Sequence, residues 1–452
     1  TDSNTLNDTI YLNAYACTGT FSGVYTVGGV NPDFTTIDEA FTALYTCGIS
    51  GNVTLSLATG IYPSLQLSGN ITGANNNNIV HITSAAGDPD SVVLNGETYI
   101  YGASYLKFTN VTFDAISGGK AINLSGNTDN IEISHCNIFA DPIGTASTTA
   151  GIYKSSSSGS SNNIRIIGNQ INGGYYGVYL YGSSSDYVQN VILDSNIITN
   201  QYYYGVYYYY VNSISTSYNT VTPRSVNQGT TWYGMRLYQN KNGGNIIGNK
   251  IHANNAAITS DIYGLYTYYI DSALVANNEI YLNSTASNTY GIYIHYPKGS
   301  KFLHNSVLIT GPSATARALY WYVYSNDSYD ATVMNNLFIT NTSGSTPYAV
   351  YLAGTYSSAY AYNYRIDYNN YYSTGNMGYV GSAQATLANW KSVVISDIHS
   401  TFILPVFAHV NSNLELTDYS AFIVPRINDV PVDINGINRT ILTMMGAYSE
   451  PL

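Results

Sequence analysis

Apolar residues alternate with polar ones over short runs, as in Ile131-Glu132-Ile133 and Ile164-Arg165-Ile166, and the runs are separated by corners rich in Gly, Asn and Ser. Period-two alternation marks a strand with one buried face. After most runs stands an Asn, followed closely by an apolar or aromatic residue: Asn110, Asn137, Asn169, Asn196, Asn219, Asn249, Asn278, Asn305, Asn336 and Asn369. Successive members of this series lie 23 to 33 residues apart. Short strands repeating at such a period, with no helical pattern between them, predict a β-solenoid whose coils bury their apolar sides only by stacking. Equivalent residues then sit about 4.8 Å apart along the axis, and an Asn repeated at one corner predicts a ladder of side-chain amides.

A second register runs between the Asn corners. A small residue is followed by an aliphatic one (Ile122, Ile152, Val178, Val206, Met235, Leu265, Ile292, Leu319, Val350) that must point inward. The next residue therefore points outward. It is Tyr153, Tyr179, Tyr207, Tyr266, Tyr293, Tyr320 or Tyr351, with Asn123 and Arg236 as exceptions. Two places further on, the same face carries Tyr181, Tyr209, Tyr238, Tyr268, His295 and Tyr322. Two adjacent tyrosine ladders are predicted. A further set, Tyr176, Tyr204, Tyr233, Tyr263, Tyr290 and Tyr348, precedes the small residue, and its direction is open because a Gly corner breaks the alternation.

One stretch departs from the strand pattern: Ile37, Ala40, Phe41 and Leu44 have helical spacing, with Thr36 and Glu39 placed as a capping box. A helix there would plug the open end of the solenoid. The predicted organisation is all-β and single-domain: an N-terminal segment and cap helix over 1–60, about twelve parallel coils over 61–375, and C-terminal coils with a cap over 376–452.

Composition narrows the partners. Only 9% of the 452 residues are charged, the net charge is −11, and 48 residues are Tyr. Such a chain neutralises few phosphates, which makes nucleic acid and anionic membrane surfaces poor candidates as partners, and 45% hydrophobic residues argue against disorder. No run of ~18 apolar residues predicts a membrane-spanning helix. The start at Thr1 reads as a processed chain. Cys17 and Cys47 flank one N-terminal unit and could pair if the protein is exported, whereas Cys136 reads as a small core filler. The predicted address is extracellular or at the cell surface.

The run Tyr25-Thr26-Val27-Gly28-Gly29, with Asp33-Phe34-Thr35-Thr36-Ile37-Asp38-Glu39-Ala40 and Gly60-Ile61-Tyr62, resembles the start of pectin-lyase-like right-handed parallel β-helix proteins, in particular the secreted and cell-surface sets of Bacteroidetes-type bacteria. Leu387-Ala388-Asn389-Trp390, Asp397-Ile398-His399-Ser400 and Asp433-Ile434-Asn435-Gly436 are similar to their closing segments. The resemblance implies the fold over nearly the whole chain. It leaves the activity open, because that scaffold hosts lyases, hydrolases, epimerases and adhesins.

The residues that chemistry would need are sparse. The glycoside-hydrolase branch pairs carboxylates, yet only Asn127-Thr128-Asp129 of its motifs occurs, with no Asp-Asp or Gly-His-Gly. A lyase needs a cation and a base. Asp114 and Asp141 each follow their Asn by four residues and could stack as a weak Ca²⁺ site, though two carboxylates are few; otherwise no cofactor is expected. Arg236 and His295 interrupt the ladders and are the candidate catalytic pair, alternatively plain surface residues. The tyrosine face is the stronger candidate: rigid amphipathic rings suit a glycan, a surface protein or a second copy of the chain, and the same rings also stabilise a sheet by cross-strand pairing. The expected role is non-catalytic, adhesive or structural, with a polysaccharide lyase as the alternative.

Overall fold

The computed structural model describes residues 17–450 apart from 156–158, 160, 227, 230, 242, 255–256, 324–329, 355–363 and 411, so residues 1–16 of the predicted N-terminal segment, Thr1 included, lie outside the described residues. The chain winds as a right-handed parallel β-solenoid of about 12 coils, with three long sheets along its sides. Among the described residues sheet 1 has 13 strands, from Phe21–Val27 to Tyr364–Asp367, and sheet 2 has 12, from Gly60–Pro63 to Asn370–Ser373. Sheet 3 runs from Gln66–Ser68 to Asn376–Val380 and ends on an antiparallel strand, Ser382–Gln384. Because Phe21–Val27 and Ile49–Leu57 already belong to sheet 1, the coil stack reaches into the predicted N-terminal segment.

The inward residues form continuous aliphatic rows. Ile152, Val178, Val206, Met235, Leu265, Ile292, Leu319 and Val350 of sheet 3 are fully buried, facing Ile171, Ile198, Val221, Ile251, Ile280 and Val307 of sheet 2. Each contributes roughly 1.5–3 kcal/mol of burial. The small residue before each sheet-3 row member is dictated by this packing. A Cβ on Gly234 would stand 2.4 Å from Ile251 Cγ2 and 2.6 Å from the Gly264 carbonyl oxygen. The inward–outward alternation breaks there, so Gly and the following aliphatic residue are both buried while the Tyr on either side of the pair faces out.

Both ends are closed. Helix α1 (Ile37–Cys47) buries Ile37, Ala40, Phe41, Ala43 and Leu44 against the first coil. Thr36 Oγ1 accepts from the Glu39 amide, and Glu39 reaches back to the Thr35 amide and hydroxyl, one residue earlier than a standard box. Helix α2 (Leu387–Val393) buries Trp390, whose Nε1 donates to Asp397 at 2.7 Å; Tyr371 and Ser400 hydroxyls donate to the same carboxylate. The remaining C-terminal chain folds back along the outer face of sheet 2, where Leu416, Tyr419, Phe422 and Met444 cover Tyr281, Leu308, Leu337 and Ile339.

Candidate binding face

The Asn corner joins sheet 1 to sheet 2. At each coil a residue of positive φ, such as Gly168, Ser195, Tyr218 or Gly248, precedes the ladder Asn and turns the chain. From Asn169 through Asn196, Asn219, Asn249, Asn278, Asn305 and Asn336 to Asn369, every Nδ2 but the last donates to the next Oδ1 at 2.9–3.0 Å. Each Nδ2 also donates to a carbonyl of the coil before, as Asn249 does to Thr216 at 2.8 Å, and each backbone amide but the last donates to the next Oδ1. Ser400 Oγ receives the last amide, from Asn369, at 2.8 Å.

Asn110 and Asn137 are not members, which corrects the sequence expectation. Strand register aligns Val111 and Cys136 with Asn169: Thr112 pairs with Asn137, and Asn137 with Gln170. Asn110 takes the preceding positive-φ position, and Asn137 sits one residue late, donating to Asp90 instead. The pairing of Asp114 with Asp141 fails for the same reason. Asp114 lies opposite Phe139, and each aspartate caps its own turn: Asp114 accepts from Ile116, and Asp141 from Ile143 and Gly144. Cys17 and Cys47 are joined as a disulfide, and Cys136 is buried.

Sheet 3 presents three ladders rather than two. The break in alternation at Gly leaves Tyr176, Tyr204, Tyr233, Tyr263 and Tyr290 outward, stacked at 4.5–5.3 Å with interplanar angles of 2–18°. The middle ladder runs Tyr153–Tyr179–Tyr207, is interrupted by Arg236, and resumes as Tyr266–Tyr293–Tyr320–Tyr351 with Tyr379 beyond. The outer ladder runs Tyr181–Tyr209–Tyr238–Tyr268–His295, and Tyr322 follows at a tilt. Sequence reasoning missed Tyr379 and Arg317; Arg317 takes a place in the Tyr290 ladder, as its strand register with Tyr290 and Tyr348 requires.

Ring orientation decides what this face offers. Near-parallel rings stacked along the axis spend their flat faces on one another. The partly exposed side chains thus present ring edges outward, with the Tyr204 and Tyr290 hydroxyls accepting from Arg236 and Arg317. Burial raises the phenols, Tyr207 and Tyr266 to about 12 and the Tyr263 and Tyr293 hydroxyls further. These four hydroxyls stay protonated near pH 7.

Arg236 and His295 do not converge. Arg236 lies in the middle ladder, its guanidinium 5.2 and 5.4 Å from the Tyr207 and Tyr266 rings, with Nη1 donating to the Tyr204 hydroxyl. His295 sits two strands on, in the outer ladder, 4.4 Å from the Tyr268 ring. Desolvation lowers its pKa to about 4, so it is neutral at physiological pH. Neither residue lines the recess on the outer face of sheet 1. That recess, about 160 Å³, is lined by Tyr105, Lys107, Asn130, Glu132, Asn163 and Arg165 among others. Glu132 bridges Lys107 at 3.0 Å and Arg165 at 3.2 Å, which holds its carboxylate below the ordinary range against the opposing effect of burial. Sequence reasoning missed this cluster because its members stand 25 and 33 residues apart and meet only through coil register.

The family model described as "Periplasmic copper-binding protein (NosD)" matches residues 129–379, more than half of the chain. No curated protein matches. Among solved structures, a PL6 family polysaccharide lyase from Pseudopedobacter saltans is similar at 12% identity and a TM-score of 0.39, over 89% of this chain and 97% of that one, a likeness too low to carry a functional argument. The family description raises copper, whose protein sites draw on thiolate, thioether and imidazole donors. Among the described residues no three His, Cys, Asp or Glu side chains gather as a ligand set. His252–Glu279 and His399–Asp367 are two-donor contacts, and both His304 nitrogens lie on protein partners. The described residues thus offer no three-donor set of His, Cys, Asp or Glu for a resident copper ion, and by the family match over 129–379 this chain belongs to the NosD family of periplasmic β-helix proteins.

Proposed function

We propose that the protein is a non-catalytic envelope or surface component whose sheet-3 face binds an extended glycan, or a protein, in an adhesive or structural role. The observation that carries this reading is the array of three partly exposed tyrosine ladders on sheet 3, repeating at the coil spacing. A flat ligand gains a hydrogen-bonding partner at every coil. Ring faces are taken, so contact is through phenol hydroxyls rather than by stacking a sugar on a ring. The neutral His295 and the raised phenols are poor general bases near pH 7, which speaks against elimination chemistry on this sheet. The Cys17–Cys47 disulfide supports an oxidising compartment, periplasmic or beyond.

Tyr207→Phe, Tyr266→Phe and Tyr293→Phe together keep the stacks and remove three hydroxyls. Retention on immobilised polysaccharides should fall while the melting temperature holds. Unchanged retention by a folded variant rejects the binding face.

A second reading, a polysaccharide lyase, is favoured only by the sheet-1 recess, where Lys107 and Arg165 could hold a uronate carboxylate. It requires unsaturated product from a uronate-glycan panel and loss of that product in Lys107→Ala.

A further inference from the structure

The rings of sheet 3 form one connected network. Tyr153 stacks on Tyr179 at 4.6 Å, and Tyr179 meets Tyr176 of the neighbouring ladder at 4.6 Å. From there the stack climbs through Tyr204, Tyr233, Tyr263 and Tyr290 in steps of 5.3, 5.0, 4.5 and 4.8 Å. Tyr290 touches Tyr320 at 5.5 Å, and Tyr320 leads through Tyr351 at 5.6 Å to Tyr379 at 4.3 Å. This route passes around Arg236 and crosses nine strands, a length of about 38 Å at the coil spacing. No ring-to-ring step on it exceeds 5.6 Å.

Phenol and indole are the protein groups most readily oxidised by one electron at neutral pH, and a phenol that loses an electron also loses its proton. Here the rings are in contact and every one is a phenol; the Tyr204 and Tyr290 hydroxyls also accept from Arg236 and Arg317. Exchange between neighbours, a phenoxyl plus a phenol giving a phenol plus a phenoxyl, changes no bond type, so the steps differ only by local contacts such as the arginine donors at Tyr204 and Tyr290. We infer that sheet 3 acts as a radical relay. A one-electron oxidant of the peroxyl-radical or high-valent metal-complex class takes one electron from an exposed ring and is itself reduced by one electron. The phenolic proton passes to water, and the phenoxyl then migrates by hydrogen-atom exchange along the network. A hydrogen-atom donor of the ascorbate class, meeting any ring of the sheet, returns the proton and the electron and restores the phenol. The sheet would thereby carry an oxidising hit away from the point of attack.

The test uses the full chain with Ala383→Cys. Ala383 is exposed and pairs directly with Tyr379, while Cys136 is buried and Cys17 is bonded to Cys47. A ruthenium(II) tris-bipyridine label on the new thiol is flash-oxidised to ruthenium(III) by a cobalt(III) ammine acceptor at dilute protein. A nitroso spin trap then marks radical sites for peptide mass spectrometry. Trap adducts should appear at Tyr153 and Tyr179, at the far end, as well as at Tyr379. Adducts confined to Tyr351 and Tyr379 overturn the relay. With Tyr263, Tyr266, Tyr268, Tyr269, Tyr290, Tyr293 and Tyr296 replaced by Phe, the rings remain but strands Asp261–Ile270 and Asn288–His295, with the residue after the second, lose their oxidisable phenols. Far-end adducts should disappear while near-end yield persists; unchanged far-end adducts overturn the proposal. Should that variant fold poorly, Tyr263→Phe with Tyr266→Phe reads the same loss in smaller degree, and an undiminished far-end yield again overturns it.

Discussion

A single ladder Asn satisfies several buried groups at once, so its removal is expensive. Asn249→Ala strips the acceptor from the amide and side chain of Asn219 and the donor from the Thr216 carbonyl. At ~1–3 kcal/mol per orphaned buried group, urea unfolding should show a loss of roughly 3 kcal/mol or more. Asn137→Ala, outside the ladder, should cost only the order of 1 kcal/mol of one hydrogen bond. The sequence distinguished these residues more finely than the bare Asn spacing suggests. In true members the core residue stands two places on, as Ile171 does after Asn169; after Asn110 it is Phe113, three places on, and after Asn137 it is Ile138, one place on. His295 gives a second residue-scale prediction. Its folded pKa of about 4 lies below the ordinary 6.5, so its contribution to stability is present above pH 6.5 and is lost as pH falls toward 4. An NMR titration should place its midpoint near 4, and His295→Tyr should remove that part of the acid destabilisation.

Strand direction was legible wherever alternation was unbroken and illegible where it broke. The residues after the small position, from Tyr153 to Tyr351, face outward as alternation requires, whereas the direction of Tyr176 and its equivalents depends on a break in that alternation. The break goes with how closely the Gly backbone approaches the opposite core row, which no local pattern encodes. Gly234→Ala should therefore destabilise by about 1–3 kcal/mol through overpacking, measured against Gly381→Ala, whose surroundings are open, with its positive φ as a separate cost. The closing helix carries its own pH dependence. Burial raises the Asp397 carboxyl to about 6 despite donors from Trp390, Tyr371 and Ser400. The folded form holds that proton more tightly than the unfolded chain, so this contribution is greatest below about pH 4 and fades as pH rises through 6. Asp397→Asn should abolish that slope in melting temperatures across pH 4–7.

At the scale of the molecule, the scarcity of charge has a location: the Asn corner replaces ion pairs with amides, and the outward side of sheet 3 is filled by phenols. The C-terminal strap was legible as a closing segment but not as a cover for sheet 2, because its anchors join residues far apart in sequence. Arg439 Nη2 donates to Asn277 Oδ1 at 2.9 Å and the guanidinium to the carbonyls of Met444, Gly446 and Ala447; the buried Glu279 carboxylate takes the Tyr448 hydroxyl, the Leu414 amide and His252. Arg439→Ala should release the strap to limited proteolysis within 404–450 while the coils stay intact. The claim that sheet 3 is the working surface is tested most directly by carbene footprinting of the whole protein with and without a retained glycan. Protection of Tyr207, Tyr266 and Tyr293, with Lys107 and Arg165 unchanged, is the predicted result. Protection at Lys107 and Arg165 with sheet 3 unaltered would contradict it.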